Sequence, residues 1–328
     1  MNKIILSLLI FILTSIIVYI GLAVILIFTG KSPKPKQSQS SLSFKELFID
    51  YTGLPEFMTF KARDGKQLAY RYYPAESQKV LILIHGSGGH SRYFYPLAKY
   101  ISSQNLAKVY TPDLRGHGYS SERRGDIDYT GQFEDDLADL IAIIRKSIPN
   151  ATLIIGGHSS GGGLAVRFAG GKYGKQADAY VLMTPILQYN APTTRPNSGG
   201  WALPNIKRII GLTMLGSIGI TWFNALPVID FNMPEEARNG TETLTYSYRL
   251  ITSYEPEDYR KDLSAITKPL LVVAGTADEV CYAEKLNPVI SQYANAQVEL
   301  LPGVTHMGVV VGDEVRTVIG EWLRGLKL

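Results

Sequence analysis

The chain has 328 residues, 45% of them hydrophobic and 19% charged, a composition that supplies a buried core and excludes a disordered chain. Its net charge of +4 resides at the N-terminus: residues 1–40 carry Lys3, Lys31, Lys34 and Lys36 and no acid, and the remainder balances at 29 basic against 29 acidic residues. That balance leaves no basic footprint for a nucleic-acid partner, and a single cysteine, Cys281, excludes an intramolecular disulfide.

Ile4 to Phe28 is a run of 25 residues without a charge. As a helix it is ~37 Å long, enough to cross a bilayer core of ~30 Å with some tilt. A cleavable signal peptide has a shorter apolar region followed by small residues. This run ends Ile-Leu-Ile-Phe-Thr-Gly, so residues 1–30 are expected to be an uncleaved single-pass membrane anchor. Residues 31–43 (KSPKPKQSQSSLS) are too polar to pack and read as a flexible linker. Three lysines follow the run, against Lys3 and the α-amino group before it. By the positive-inside rule this tips the globular part, 44–328, toward the cytoplasm.

Two β-like stretches, 57–60 and 68–73, flank Asp64-Gly65, a hairpin signal. Val80 to Ile84 is a continuous apolar run of the kind that a strand buried on both faces shows. A helical stretch around 95–102 and a strand at 108–111 follow. Over 133–147, Leu137, Leu140, Ile141 and Ile144 recur at helical spacing. Strands are predicted at 152–155, 179–183, 270–274 and 298–301, with helices at 164–169 and 314–323. This alternation implies an α/β fold with a mostly parallel central sheet and helices on both faces. Between about 185 and 268 the alternation stops. The segment holds Trp201, Trp222 and the apolar run 209–220, and it reads as an inserted cap because a core strand follows it.

Gly157-His158-Ser159-Ser160-Gly161 fits G-x-S-x-G. It follows one strand and opens a helix, the setting of a nucleophile elbow, where flanking glycines remove side chains that would collide. A serine hydroxyl needs a base. Of the five histidines, His85, His90 and His117 precede the elbow and His158 adjoins the serine. His306 lies in the loop after the last strand. The base needs an acid to orient it; Asp278, just after the strand 270–274, is favoured over its neighbour Glu279. Ser159, Asp278 and His306 thus form the expected catalytic triad, in the chain order nucleophile, acid, histidine. The oxyanion donors expected are the backbone N–H groups of Ser160 and of Ser87, the latter in His85-Gly86-Ser87-Gly88-Gly89. Cys281 reads as a small buried hydrophobe. There is no H-E-x-x-H, no C-x-x-C and no nucleotide-binding glycine fingerprint, so neither metal nor cofactor is expected.

His85 to Tyr93 (HGSGGHSRY), Asp113 to Ser120 (DLRGHGYS) and the elbow closely resemble the monoacylglycerol lipase and lysophospholipase branch of the α/β-hydrolases, the serine aminopeptidase S33-like group. The resemblance spans roughly residues 57–325 and is weakest in the cap. It implies hydrolysis of an ester of a lipid-like substrate, with D-x-R-G-H-G-x-S as a structural loop beside the site. Ser160 stands where that branch often has Met. Related sequences include aminopeptidases, which need a cap acid to hold the substrate amine; Glu235, Glu236, Glu255 and Glu257 are candidates. A non-catalytic membrane-bound binding protein is the remaining alternative. Nothing in the sequence fixes an oligomeric state.

Overall fold

The computed structural model describes residues 3–33 and 42–326. Eight strands make one sheet: β1 (Phe57–Lys61), β2 (Gln67–Tyr73), β3 (Lys79–Ile84), β4 (Lys108–Pro112), β5 (Thr152–His158), β6 (Ala179–Met183), then β10 (Leu270–Gly275) and β11 (Gln297–Leu301). Their spatial order is β1-β2-β4-β3-β5-β6-β10-β11. The hairpin β1–β2 and the β2–β4 pair are antiparallel; every pair from β4 to β11 is parallel. This is the expected α/β-hydrolase architecture.

The central strands are the apolar runs, and burial on both faces explains their composition: residues 80–84 of β3 and all of β6 and β10 are buried. Helix Tyr95–Ser103 packs with the closing helix Asp313–Gly325, while helices Gln132–Ser147 and Ser160–Gly170 both meet Tyr248–Tyr254. The amphipathic helix Gln132–Ser147 buries Leu137, Leu140, Ile141 and Ile144, the residues that its spacing singled out.

The segment between β6 and β10 contains a small antiparallel sheet, β7 (Ala202–Pro204), β8 (Pro227–Phe231) and β9 (Thr245–Ser247). The apolar run 209–220 falls in a helix, Ile206–Ser217, and the turn after it. Trp201 stacks on Phe231, ring centroids 5.1 Å apart, and Phe231 meets Tyr246 edge-on at 4.7 Å.

The N-terminal helix runs Lys3–Thr29, has a mean hydropathy of 2.9, and is long and apolar enough to cross a membrane. Its last three turns lie antiparallel to the cap helix Ile206–Ser217. Tyr19 Oη donates to the Met214 carbonyl at 3.1 Å, and Arg208 Nε donates to the Ile27 carbonyl at 3.1 Å. Gly211 permits this approach, since a Cβ there would come within 2.5 Å of the Ala23 carbonyl. Ala23 and Ile27 are buried in this contact, whereas the residues before Tyr19 are exposed.

Candidate active site

β5 ends on the sheet's carboxyl edge and turns sharply into the helix Ser160–Gly170. Ser159, at the corner, has φ 56° and ψ −126°, a region that L-residues rarely adopt and that costs ~1–3 kcal/mol. The corner closes only because its flanks are glycine: a Cβ on Gly157 would lie 2.1 Å from the Gly161 carbonyl, and one on Gly161 would lie 2.2 Å from that of Ile84. Four backbone bonds hold the strained residue. Ser159 N–H donates to the Met183 carbonyl at 3.0 Å, and its own carbonyl accepts from Gly162, Gly163 and Ile186 at 2.9, 3.2 and 3.0 Å.

His306 and Asp278 meet beside this corner, Nδ1 to Oδ2 at 2.9 Å, both nearly free of solvent. The second carboxylate oxygen of Asp278 accepts the N–H groups of Val280 and Cys281 at 2.7 and 2.6 Å. Burial opposes a charge on Asp278, but the His306 ring, its hydrogen bond, the Thr184 hydroxyl and the Cys281 N–H outweigh it, holding the carboxyl at about 2. Glu279 does not touch the imidazole. Its Oε2 accepts the backbone N–H of His306 at 2.9 Å and its Oε1 that of Ser43 at 3.1 Å. Cys281 is buried, and burial pushes its thiol well above the usual range, so it is no competing nucleophile.

The oxyanion loop after β3 is fixed peptide by peptide. Gly86 N–H donates to the Tyr93 hydroxyl, and Gly88 N–H to the Tyr246 hydroxyl at 2.6 Å. Between them, Ser87 N–H donates to Ser160 Oγ at 2.7 Å, and the two serine hydroxyls are also 2.7 Å apart. The Ser160 side chain thus occupies one of the two expected oxyanion donors. Tyr246 belongs to β9, and Thr243 N–H also donates to the Gly88 carbonyl at 3.2 Å, so the cap holds this loop from above.

The other histidines support the frame. His158 Nδ1 and Nε2 lie 3.2 Å from the Tyr93 hydroxyl and 3.0 Å from the His306 carbonyl. His85 Nε2 accepts from Leu114 N–H at 3.0 Å, and His117 Nε2 is 2.6 Å from the Tyr246 hydroxyl. In the D-x-R-G-H-G-x-S loop, Asp113 accepts the N–H groups of Ser91 and Tyr119 at 2.9 and 2.8 Å. Arg115 pairs with Asp136 and Asp64. The loop is a brace, as the resemblance implies.

Sequence reasoning missed several site residues. Thr184, directly after β6, has φ 42° and donates its hydroxyl to Asp278 Oδ2. A threonine at positive φ is an outlier; its place at the carboxyl end of a core strand was the one available signal. Tyr93, Tyr246 and Trp201 carried none beyond being aromatic. Leu42, Phe44 and Leu47 line a cavity of about 40 Å³ together with Ser87, Ser159, Trp201, Met233, His306 and Met307. Among its described lining residues there is no carboxylate.

The family described as serine aminopeptidase, S33, matches residues 75–310. The human monoglyceride lipase is 27% identical over 238 residues, 71% of this chain and 76% of that protein. Among solved structures, a soluble variant of the Saccharomyces cerevisiae monoglyceride lipase, in complex with a substrate analog, superposes with a TM-score of 0.63 at 20% identity, covering 85% of this chain and 97% of that one. A bacterial membrane phospholipase A superposes with a TM-score of 0.58 at 18% identity over 99% of both chains. With a matched segment that runs from just before β3 to just past the His306 loop, this chain belongs to the serine aminopeptidase S33 family of α/β-hydrolases.

Proposed function

We propose that the protein is a membrane-anchored serine hydrolase that cleaves carboxylic esters of lipid-like substrates, of monoacylglycerol or lysophospholipid type. One observation carries the reading: His306, paired with the buried Asp278, lines the same largely apolar chamber as the strained Ser159, with no carboxylate among the described lining residues. The similarity to the human monoglyceride lipase supports a lipid ester as the substrate class.

In the proposed cycle Ser159 Oγ attacks the ester carbonyl while His306 Nε2 takes its proton. Asp278 keeps the imidazole in the tautomer that leaves Nε2 free to accept and stabilises the imidazolium. The tetrahedral oxyanion takes hydrogen bonds from Ser160 N–H and Ser87 N–H, after the Ser160 hydroxyl has turned away from Ser87. His306 returns the proton to the leaving alcohol. Water, activated by the same histidine, then hydrolyses the acyl-enzyme. No step uses a metal or a cofactor.

The N-terminal helix is proposed as a retained anchor. Its hydrogen bonds to the cap helix favour this over a signal sequence, because a cleaved helix would strip the cap of a packed face. An aminopeptidase would need a carboxylate near Ser159 for the substrate amine. Glu257 is largely exposed beside Arg167, Glu235 is exposed, Glu255 lies outside the chamber, and Glu236 lines the neighbouring cavity rather than the space around Ser159.

The test is labelling with a fluorophosphonate probe, followed by turnover of acyl esters and aminoacyl amides. Labelling that Ser159→Ala abolishes, with ester turnover falling at least about a thousandfold, is the expected result. Asp278→Asn and His306→Ala should be similarly inactive, with losses that do not add to that of Ser159→Ala. Full activity in any of the three, or preference for aminoacyl amides, would overturn the assignment.

A further inference from the structure

The chamber above Ser159 holds about 40 Å³, room for a few waters at most and too little for a fatty acyl chain. A second cavity of about 210 Å³ lies next to it, with Phe48 and Tyr51 on its apolar side and Arg92, Glu236, Arg238 and Glu242 at its polar side. The two share Phe44, Leu47, Gly89, Tyr93 and Met233 as walls. Gly89 and Tyr93 belong to the braced oxyanion loop and its following turn. The rest of the partition is made by Met233 of the cap and by Phe44 and Leu47, two apolar side chains of the segment that leads from the N-terminal helix into the hydrolase.

That segment is attached to the catalytic machinery. Ser43 N–H donates to Glu279 Oε1 at 3.1 Å, and the other oxygen of the same carboxylate accepts His306 N–H at 2.9 Å. Glu46 accepts from the Thr305 hydroxyl at 2.8 Å and from the Ser43 hydroxyl at 3.0 Å. Two carboxylates thus tie residues 43–46 to the loop that carries His306. Phe44 is nearly buried, and its ring centroid lies 5.3 Å from that of Trp201. With the backbone held this way, the side chains of Phe44 and Leu47, beside Met233 of the cap, are what can yield between the two spaces.

We propose that Phe44 and Leu47 form the acyl-pocket wall and set the chain length that the enzyme accepts, so that the segment after the anchor is part of the substrate site. This rests on the ester-hydrolase reading. An acyl chain attached to Ser159 extends past Phe44 into the larger cavity, and the position of the ring decides how many methylenes are buried. Each buried methylene contributes about fourfold in affinity, so a shift of two or three carbons reads as a ten- to hundredfold change between long and short esters.

The experiment measures kcat/KM of the full-length protein for p-nitrophenyl esters from acetyl to palmitoyl. Phe44→Ala should raise the ratio of dodecanoyl to butyryl turnover at least tenfold, chiefly through KM. Phe44→Trp should shift the ratio the other way, and Leu47→Ala should move it as Phe44→Ala does. If Phe44→Ala unfolds, the tryptophan and Leu47 variants carry the test. A loss parallel at every chain length, or an unchanged ratio in both Phe44 variants, would overturn the proposal while the wild type's fluorophosphonate labelling and ester turnover leave the hydrolase reading standing. A wild type that is not labelled and cleaves no ester would sink both.

Discussion

Ser159 holds a conformation that its chemistry requires and its backbone resists. The elbow lifts Oγ out of the sheet edge, and the strained angles, φ 56° and ψ −126°, are the consequence. Alanine at this position removes the hydroxyl but keeps the Cβ, and so keeps the strain. Glycine removes both. Ser159→Gly should therefore be more stable than Ser159→Ala by ~1 kcal/mol, the strain relieved less the entropy that glycine gains when unfolded. Urea unfolding of the two inactive variants checks this, and the reverse order would show that the surrounding bonds make these angles comfortable. The three residues of the proposed triad were legible because each follows the end of a strand of the central sheet, a place that periodicity and chain order locate. Thr184 sits at such an end too, yet its hydrogen bond to Asp278 depends on the pairing of β6 with β10, and no local pattern shows that two strands so far apart in sequence are neighbours.

At the scale of elements the same contrast recurs. Strands β3, β6 and β10 were visible because burial on both faces leaves an unbroken apolar run. The cap strands β7 and β9 have three residues each, too few for an alternation to register. Leu42 and Phe44 follow a Ser- and Lys-rich stretch and stand between polar residues, so composition cannot tell that they are buried against Trp201 and the catalytic chamber. The apolar run in the cap was visible, but its partner was not. The cap helix Ile206–Ser217 and the N-terminal helix meet through Gly211, with Ala23 and Ile27 on the other side. Small residues at such a crossing let backbones approach. Gly211→Leu should separate the helices and, with Ile27 worth ~1.5–3 kcal/mol when buried, lower the Tm of the full-length protein by several degrees. A protein lacking residues 1–40 retains Leu42 to Leu47, and there the same substitution should leave the Tm unmoved, since nothing remains for the leucine to displace. An equal drop in both backgrounds would place the damage inside the cap rather than at the contact between the helices.

Around Ser159 the burial supplied by the whole molecule keeps His85, His117 and His158 neutral. Burial lowers His85 to about 4 and His158 to about 3, the latter with His306 as the next cause, and it takes His117 well below its ordinary value. Each of the three accepts or shares a hydrogen bond that a neutral ring can make, to Leu114 N–H, the Tyr93 hydroxyl and the Tyr246 hydroxyl respectively for His85, His158 and His117. The unfolded chain protonates its histidines near pH 6.5, well above the values in the folded protein. Between about pH 6.5 and 4 these three rings therefore bind more protons in the unfolded state, and their contribution to stability falls as the pH drops, by up to ~1.4 kcal/mol per pH unit for each histidine. Glu255, raised by burial to about 7, and Asp136 and Asp262, raised to about 6, act in the opposite sense. Asp278, held at about 2, adds its loss only below about pH 4, where the unfolded carboxyl protonates and the folded one does not. The expected outcome is that all three rings stay neutral in the folded protein at pH 5.5, where a free imidazole is about nine-tenths charged. Long-range proton–nitrogen NMR spectra of the imidazole rings read the charge on each one directly. A doubly protonated ring among the three at pH 5.5 would overturn this reading, because the frame around Ser159 would then rest on charged hydrogen bonds rather than on neutral ones.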